Sequence, residues 1–142
     1  MKVENDPPYR ALGCECLAEY PEGCVFCEAK IAKEYHGLED RQQARLKRAM
    51  QRWCEGSALT NEMFNPNEGR SAGNIMLQVF KTHKIRFYGY ETIIDSKKTF
   101  VIVERDLSKK KDKADQALLK RARKYVDAME VAVKNLKDRS EK

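Results

Sequence analysis

The chain has 142 residues, 42% of them hydrophobic and 35% charged, which is enough for one core without disulfides and excludes both a membrane-embedded and a wholly disordered protein. No apolar run approaches the roughly 20 residues that span a bilayer, and "MKVENDPPYR" lacks the apolar stretch of a signal peptide, so a cytoplasmic protein with no membrane partner is expected. The net charge of +6 is uneven, with 10 basic and 12 acidic side chains in residues 1–71 against 18 and 10 in residues 72–142, a polarity that favours a phosphate- or carboxylate-rich partner over a neutral small molecule.

In chain order, residues 1–12 read as a loose leader, because Pro7 and Pro8 bar a helix there. "GCECLAEYPEGCVFC" follows, a Cys-rich segment broken by a turn at 21–23. "EAKIAKEYH" (28–36) has helical spacing and stops at Gly37. A second helix over about 39–54 places Leu46, Met50 and Trp53 on one stripe, with Arg45, Lys47, Arg48 and Arg52 around it, and ends at Gly56. These two read as an antiparallel helical hairpin.

Residues 57–74 are loop by composition, with "NPNEG" a strong turn signal. The period then changes to two: 75–81 and 84–94 alternate, "DSKK" turns, and 99–107 gives a third strand. A final helix over about 114–136 buries Leu118, Ala122, Val126, Met129, Val133 and Leu136. The expected fold is α+β: an N-terminal helical hairpin packed on a small antiparallel sheet, then a C-terminal helix. Residues 1–27 form a Cys-rich extension and 28–142 the main domain.

The middle strand concentrates the chemistry. If Ile85 and Phe87 face the core, alternation puts Arg86, Tyr88 and Tyr90 on the opposite face, where an arginine between aromatics neutralises a phosphate while the rings stack bases. Lys81, His83 and Lys84 lie at the preceding turn, and Lys109, Lys110 and Lys111 leave the third strand. Plainer readings stand beside these: Arg86 pairs with Glu91 or Glu104, the tyrosines are good strand formers, and the lysine triplet caps a solvated turn.

Cys14, Cys16, Cys24 and Cys27 have the spacing C-x-C-x7-C-x2-C, four thiols for a structural zinc, although the spacing is not that of a standard knuckle. The alternatives are reduced thiols packed around an extra N-terminal strand, or a redox role. Cys24 and Cys27 at the start of a helix would have lowered pKa values. Cys54 has no evident partner in the sequence.

Two helices, a sheet containing "KIRFYGY", the segment "FVIVERDLSKKKDKAD" and then "ALLKRARKYV" together resemble the RelE/ParE superfamily of toxins, nearest to HigB-type and phage-derived members, over about residues 28–126. The resemblance implies a ribosome-dependent mRNA endoribonuclease that inhibits translation, is neutralised by a cognate antitoxin and needs no cofactor. Carried over residue by residue, it implies that Arg86 steadies the phosphate, that Lys81 and Lys84 stand near the position of the family's preceding-strand lysine, and that Tyr88 stacks or transfers a proton. Lys109 and Lys110 match a "KK" pair that grips RNA, with Lys111 and Tyr90 beside it. The tail lacks the Tyr or His that several relatives use, so His83 is the substitute acid or base. The alternative is a non-enzymatic module, either a ParE-like inhibitor of a protein target or a Cys-rich zinc- or nucleic-acid-binding protein.

Overall fold

The structure, a computed structural model, describes residues 8–107 and 115–140. After a short helix α1 (Pro8–Ala11), the Cys-rich segment forms a hairpin, β1 (Cys14–Tyr20) and β2 (Gly23–Glu28). Two helices follow, α2 (Ala29–His36) and α3 (Asp40–Glu55), then β3 (Phe64–Asn65), β4 (Gln78–Lys81), β5 (Arg86–Ile94), β6 (Lys97–Asp106) and the long α4 (Gln116–Ser140). No helix of the described residues is long and apolar enough to cross a membrane.

The six strands make one sheet in the order β1-β2-β6-β5-β4-β3. All neighbours are antiparallel except β2 and β6, which run parallel from Gly23↔Lys98 to Cys27↔Ile102. The sheet is thus larger than the small antiparallel one expected, and mixed. The residues read as an N-terminal extension supply two of its strands. Their apolar positions are spaced by turns and thiols, which hides the two-residue period.

Local chemistry explains the element ends. The Glu28 carboxylate accepts from the Lys30 and Ile31 backbone N–H groups and caps α2, and Gly56, at φ 76°, closes α3 in the left-handed region that glycine enters without penalty. Between β5 and β6, Asp95 and Ser96 both have positive φ, the two-residue hairpin turn that matches strand twist. Lys97 and Lys98, read as part of that turn, instead open β6.

Alternate residues of the central strands feed two cores. On one face Phe87, Phe100 and Ile102 pack under α2 and α3 with Ile31, Tyr35, Leu46, Met50 and Trp53. On the other, Tyr88, Tyr90, Val101 and Val103 pack with Tyr9, Phe26 and the α4 residues Leu118, Leu119, Ala122 and Val126. The alternation expected for β5 holds, but the face assigned to Tyr88 and Tyr90 is not open to bases. Both rings are buried, because the apolar stripe of α4 lands on them.

Polar bonds fix α4 in place. The Tyr90 hydroxyl donates to Glu130 Oε1 at 2.6 Å and lies 3.2 Å from the Tyr9 hydroxyl. The Ser71 hydroxyl donates to Asp127 at 2.6 Å, and Arg123 donates to the Glu68 carbonyl at 3.0 Å. Buried Glu104 accepts from Arg121 at 2.7 Å and from Arg105 at 3.1 Å, while Arg105 also pairs with Glu34 at 2.6 Å. The network links α2, β6 and α4.

Two predictions follow from this packing. A Cβ at Gly89, beside the irregularity in β5–β6 pairing, would lie 2.0 Å from the Val101 carbonyl oxygen. Gly89→Ala should therefore destabilise by about 1–3 kcal/mol or more in chemical denaturation, the cost of forcing an added methyl into packed space. For Glu104, burial alone would raise the carboxyl pKa, but hydrogen bonds from Arg121, the Arg105 backbone and the Arg105 side chain outweigh it and hold the group below its ordinary 4.5. A depressed folded pKa gives stability that is present above the unfolded value and lost as pH falls through the folded one. Glu104→Gln should lower the thermal midpoint near neutrality and flatten its decline below about pH 4.5.

Candidate functional site

Where the sheet ends between β4 and β5, a cleft of about 710 Å³ opens toward α3. Arg45 and Arg48 line it from α3, Asn61, Glu62 and Met63 from the loop after that helix, Lys81 from the end of β4, Thr82 and His83 from the turn, and Arg86 from the start of β5. Burial of Leu46, Ala49, Met50 and Trp53 turns the arginine side of α3 outward. The Lys81 backbone N–H donates to the Met63 carbonyl at 2.8 Å, which holds the loop against the sheet.

The turn itself is closed by the Thr82 N–H donating to the Ile85 carbonyl at 3.0 Å. Arg86 Nη1 donates to the carbonyls of Thr82 at 2.7 Å and Ile85 at 3.1 Å, so its guanidinium is braced on the turn. Its Nη2 and Nε donate to nothing among the described residues. Arg86 therefore pairs with neither Glu91 nor Glu104, the latter being engaged by Arg105 and Arg121.

Lys81 and Arg86 are direct cross-strand partners, like charges placed opposite one another, and on its other side Arg86 stands opposite Asp106 of β6. The Thr82 hydroxyl oxygen is buried and has no hydrogen-bond partner among the described residues. Orphaned buried polar atoms are uncommon and call for a reason. Four permanent cations, a histidine and a single carboxylate, Glu62, suit an anion with several oxygens, above all a phosphodiester, which guanidinium groups grip in bidentate fashion.

Of the residues singled out in the sequence, Lys81, His83 and Arg86 come together in this cleft. Lys84 is exposed in the same turn but does not line it. Tyr88 and Tyr90 lie in the core beneath α4, where burial pushes the Tyr88 phenol up to about 12. Neither ring meets the cleft, which removes Tyr88 from proton transfer and Tyr90 from RNA stacking. Lys109, Lys110 and Lys111 lie outside the described residues. Arg45, Arg48 and Glu62 escaped the sequence reading. The two arginines had a signal in their i, i+3 spacing on the polar face of α3; Glu62, in a loop, had none.

The cysteines divide between the two faces of the sheet. Cys14, Cys16 and Cys24 belong to the core under α4, Cys27 and Cys54 to the core under α3. The expected four-thiolate set therefore does not meet at one point, because Cys27 points through the sheet away from the other three. No group of three or more His, Cys, Asp or Glu among the described residues is placed to hold a metal ion. Nor does Cys27 gain from a helix start: it sits inside β2, and burial raises its thiol pKa instead of lowering it. All five thiols are free.

A second cavity, of about 660 Å³, lies between α2, β6 and α4, but its charged lining includes the mutually paired Glu104, Arg105 and Arg121. No protein-family model matches the sequence, and no curated protein or solved structure is significantly similar to it.

The thiol environments yield a prediction. Burial raises Cys14 to about 11 and Cys54 to about 12. Iodoacetamide at about pH 8 should modify these thiols slowly in the native protein and quickly after unfolding, because the thiolate is the reacting form. Mass mapping of the alkylated peptides measures both rates; rapid native labelling of Cys14 or Cys54 would contradict their packing.

Proposed function

We propose that this chain is a RelE/ParE-like toxin that cleaves mRNA on the ribosome, uses side-chain groups alone, and is silenced by a cognate antitoxin. The observation that carries the reading is the convergence of Lys81, His83 and Arg86, separated as strand end, turn and strand start, with two further arginines in one cleft. The resemblance of "KIRFYGY" and the segments after it to this superfamily supplies the reaction. Translating ribosomes place that activity in the cytoplasm.

In the proposed reaction the ribose 2′-oxygen attacks the adjacent phosphorus as its proton passes to a base. The bond from phosphorus to the 5′-oxygen breaks, and an acid protonates that oxygen, leaving a 2′,3′-cyclic phosphate and a 5′-hydroxyl. Glu62 and His83 are the cleft groups suited to take and return the proton. Arg86, already braced by the turn carbonyls, meets the negative charge that builds on the phosphoryl oxygens, with Lys81 beside it. Because the brace is made before substrate arrives, little reorganisation is needed when the charge develops.

Expression without a partner should stop amino-acid incorporation in pulse labelling. Arg86→Ala should lower mRNA cleavage on purified translating ribosomes by a factor on the order of 10²–10³, as loss of one preorganised donor does, with circular dichroism unchanged. Growth arrest with normal incorporation would redirect the reading to a ParE-like protein target.

A further inference from the structure

The exposed side of α3 extends the cleft in both directions. Arg41, Arg45, Arg48 and Arg52 are spaced four, three and four residues apart, which puts them on one stripe of a helix, and all four are exposed. At 1.5 Å per residue the stripe is about 16 Å long. Between Arg41 and Arg52 the sequence holds five basic residues and no acid. Solvated helix faces ordinarily interleave the two signs, because like charges three or four residues apart repel and opposite ones attract.

These guanidinium groups are also left unspent by the fold. Those of Arg41, Arg45 and Arg48 make no hydrogen bond or ion pair with the described residues, and Arg52 donates only to the Ala58 carbonyl, at 3.3 Å. Elsewhere in the same molecule Arg105 and Arg121 are matched to carboxylates. The middle two residues of the stripe line the cleft. The outer two lie beyond it; on the helix itself no acid stands between Arg41 and Arg52, and the stripe ends one turn later at Glu55.

We propose that this arginine ridge is a second nucleic-acid contact, gripping the sugar-phosphate backbone of the RNA on either side of the nucleotide held in the cleft. It rests on the cleft reading for the identity of the polymer. A phosphate chain fits better than an acidic protein segment: the planar fork of arginine matches phosphate oxygens in pairs, and an acidic peptide would gain no apolar anchor along the row. The contact is to backbone and carries no base preference, so it adds affinity and salt dependence to whatever selectivity the cleft has.

The test is equilibrium binding of fluorescent 2′-O-methyl RNA, which lacks the attacking hydroxyl and so separates grip from cleavage. One probe has about 15 nucleotides, long enough to follow the ridge, and one about 3, enough for the cleft alone. In the double variant Arg41→Gln/Arg52→Gln, the long probe should bind on the order of tenfold more weakly near 50 mM salt, and the slope of log affinity against log salt should fall by about 1.4, about 0.7 per lost phosphate. Short-probe binding should hold, and Lys134→Gln, on the far side of the sheet, should change neither. Thermal melting confirms that each variant is folded. An unchanged long-probe slope overturns the ridge, as does equal loss of both probes, or polyglutamate competing as well as RNA. Cleavage on ribosomes is scored separately: a wild-type chain that cleaves but shows no ridge effect sinks this inference alone, whereas ridge binding without cleavage sinks the nuclease reading alone.

Discussion

The parallel pairing of β2 with β6 ties residues from near the start of the chain to residues 75 positions later, and the elements between them are placed by it. A parallel pair cannot be closed by a tight turn. Here the crossover contains α2, α3 and the three strands β3, β4 and β5, so the helices are laid on one face of the sheet before the remaining strands are added beside β6. The junction is close: a Cβ on Gly23 would stand 3.0 Å from the Cys54 Cα and 3.1 Å from Lys98 Cγ. That contact seats the end of α3 over the start of β2. Trp53 then packs edge-on to Phe100 at 5.5 Å and Phe80 at 6.4 Å, with the Lys98 ammonium 4.3 Å from its ring centre. Because Phe80 immediately precedes Lys81, the same contacts set the distance between the arginine side of α3 and the β4–β5 turn. The cleft is the gap that remains.

Burying the sheet on both faces requires polar groups inside the second core to be satisfied, and the molecule does this unevenly. Glu104 receives two guanidinium groups, and the Tyr90 hydroxyl finds Glu130. Such matching is what a buried charge or phenol requires, since an unpaired one is costly in a medium of low polarity. In the cleft the Thr82 hydroxyl is orphaned, and the arginines of α3 lie side by side with no acid between them. The row of α3 arginines is where cations without a carboxylate partner gather most closely. Functional sites are where such local inconsistency is expected.

The sequence displayed what depends on short-range periodicity. The helices α2, α3 and α4 and the strands β4, β5 and β6 are visible in their apolar spacing, whereas α1 is not, because Pro8, which reads as barring a helix, opens one. The turn that carries His83 and precedes Arg86 lies where Lys-Thr-His-Lys interrupts two alternating runs. Two things depended on long-range contact and were hidden in whole or in part. Free thiols around an extra N-terminal strand are one reading of the cysteines, but Cys24, Val25, Phe26 and Cys27 form a fully buried run in β2, which has no polar beat to show where it pairs until β6 is seen beside it. Likewise the stripe on α4 announced an amphipathic helix without naming its landing surface, and that surface proved to be the face of Tyr88 and Tyr90. Dividing the charge by halves of the chain also misled. It assigned the arginines of α3 to the acidic half, whereas folding brings them against Arg86.

Charge is instead divided along the sheet. At the β1 edge, Glu15, Glu19 and Glu22 are exposed, with His36 bonded to Glu15 and Lys97 lying 3.5 Å from Glu19. Acidic side chains on an edge strand discourage pairing with a second sheet. The cations at the β4–β5 turn lie toward the other edge of the sheet. The Cys-rich hairpin thus has two consequences at once: β2 completes the core through its pairing with β6, and β1 carries exposed carboxylates that blunt the sheet's edge.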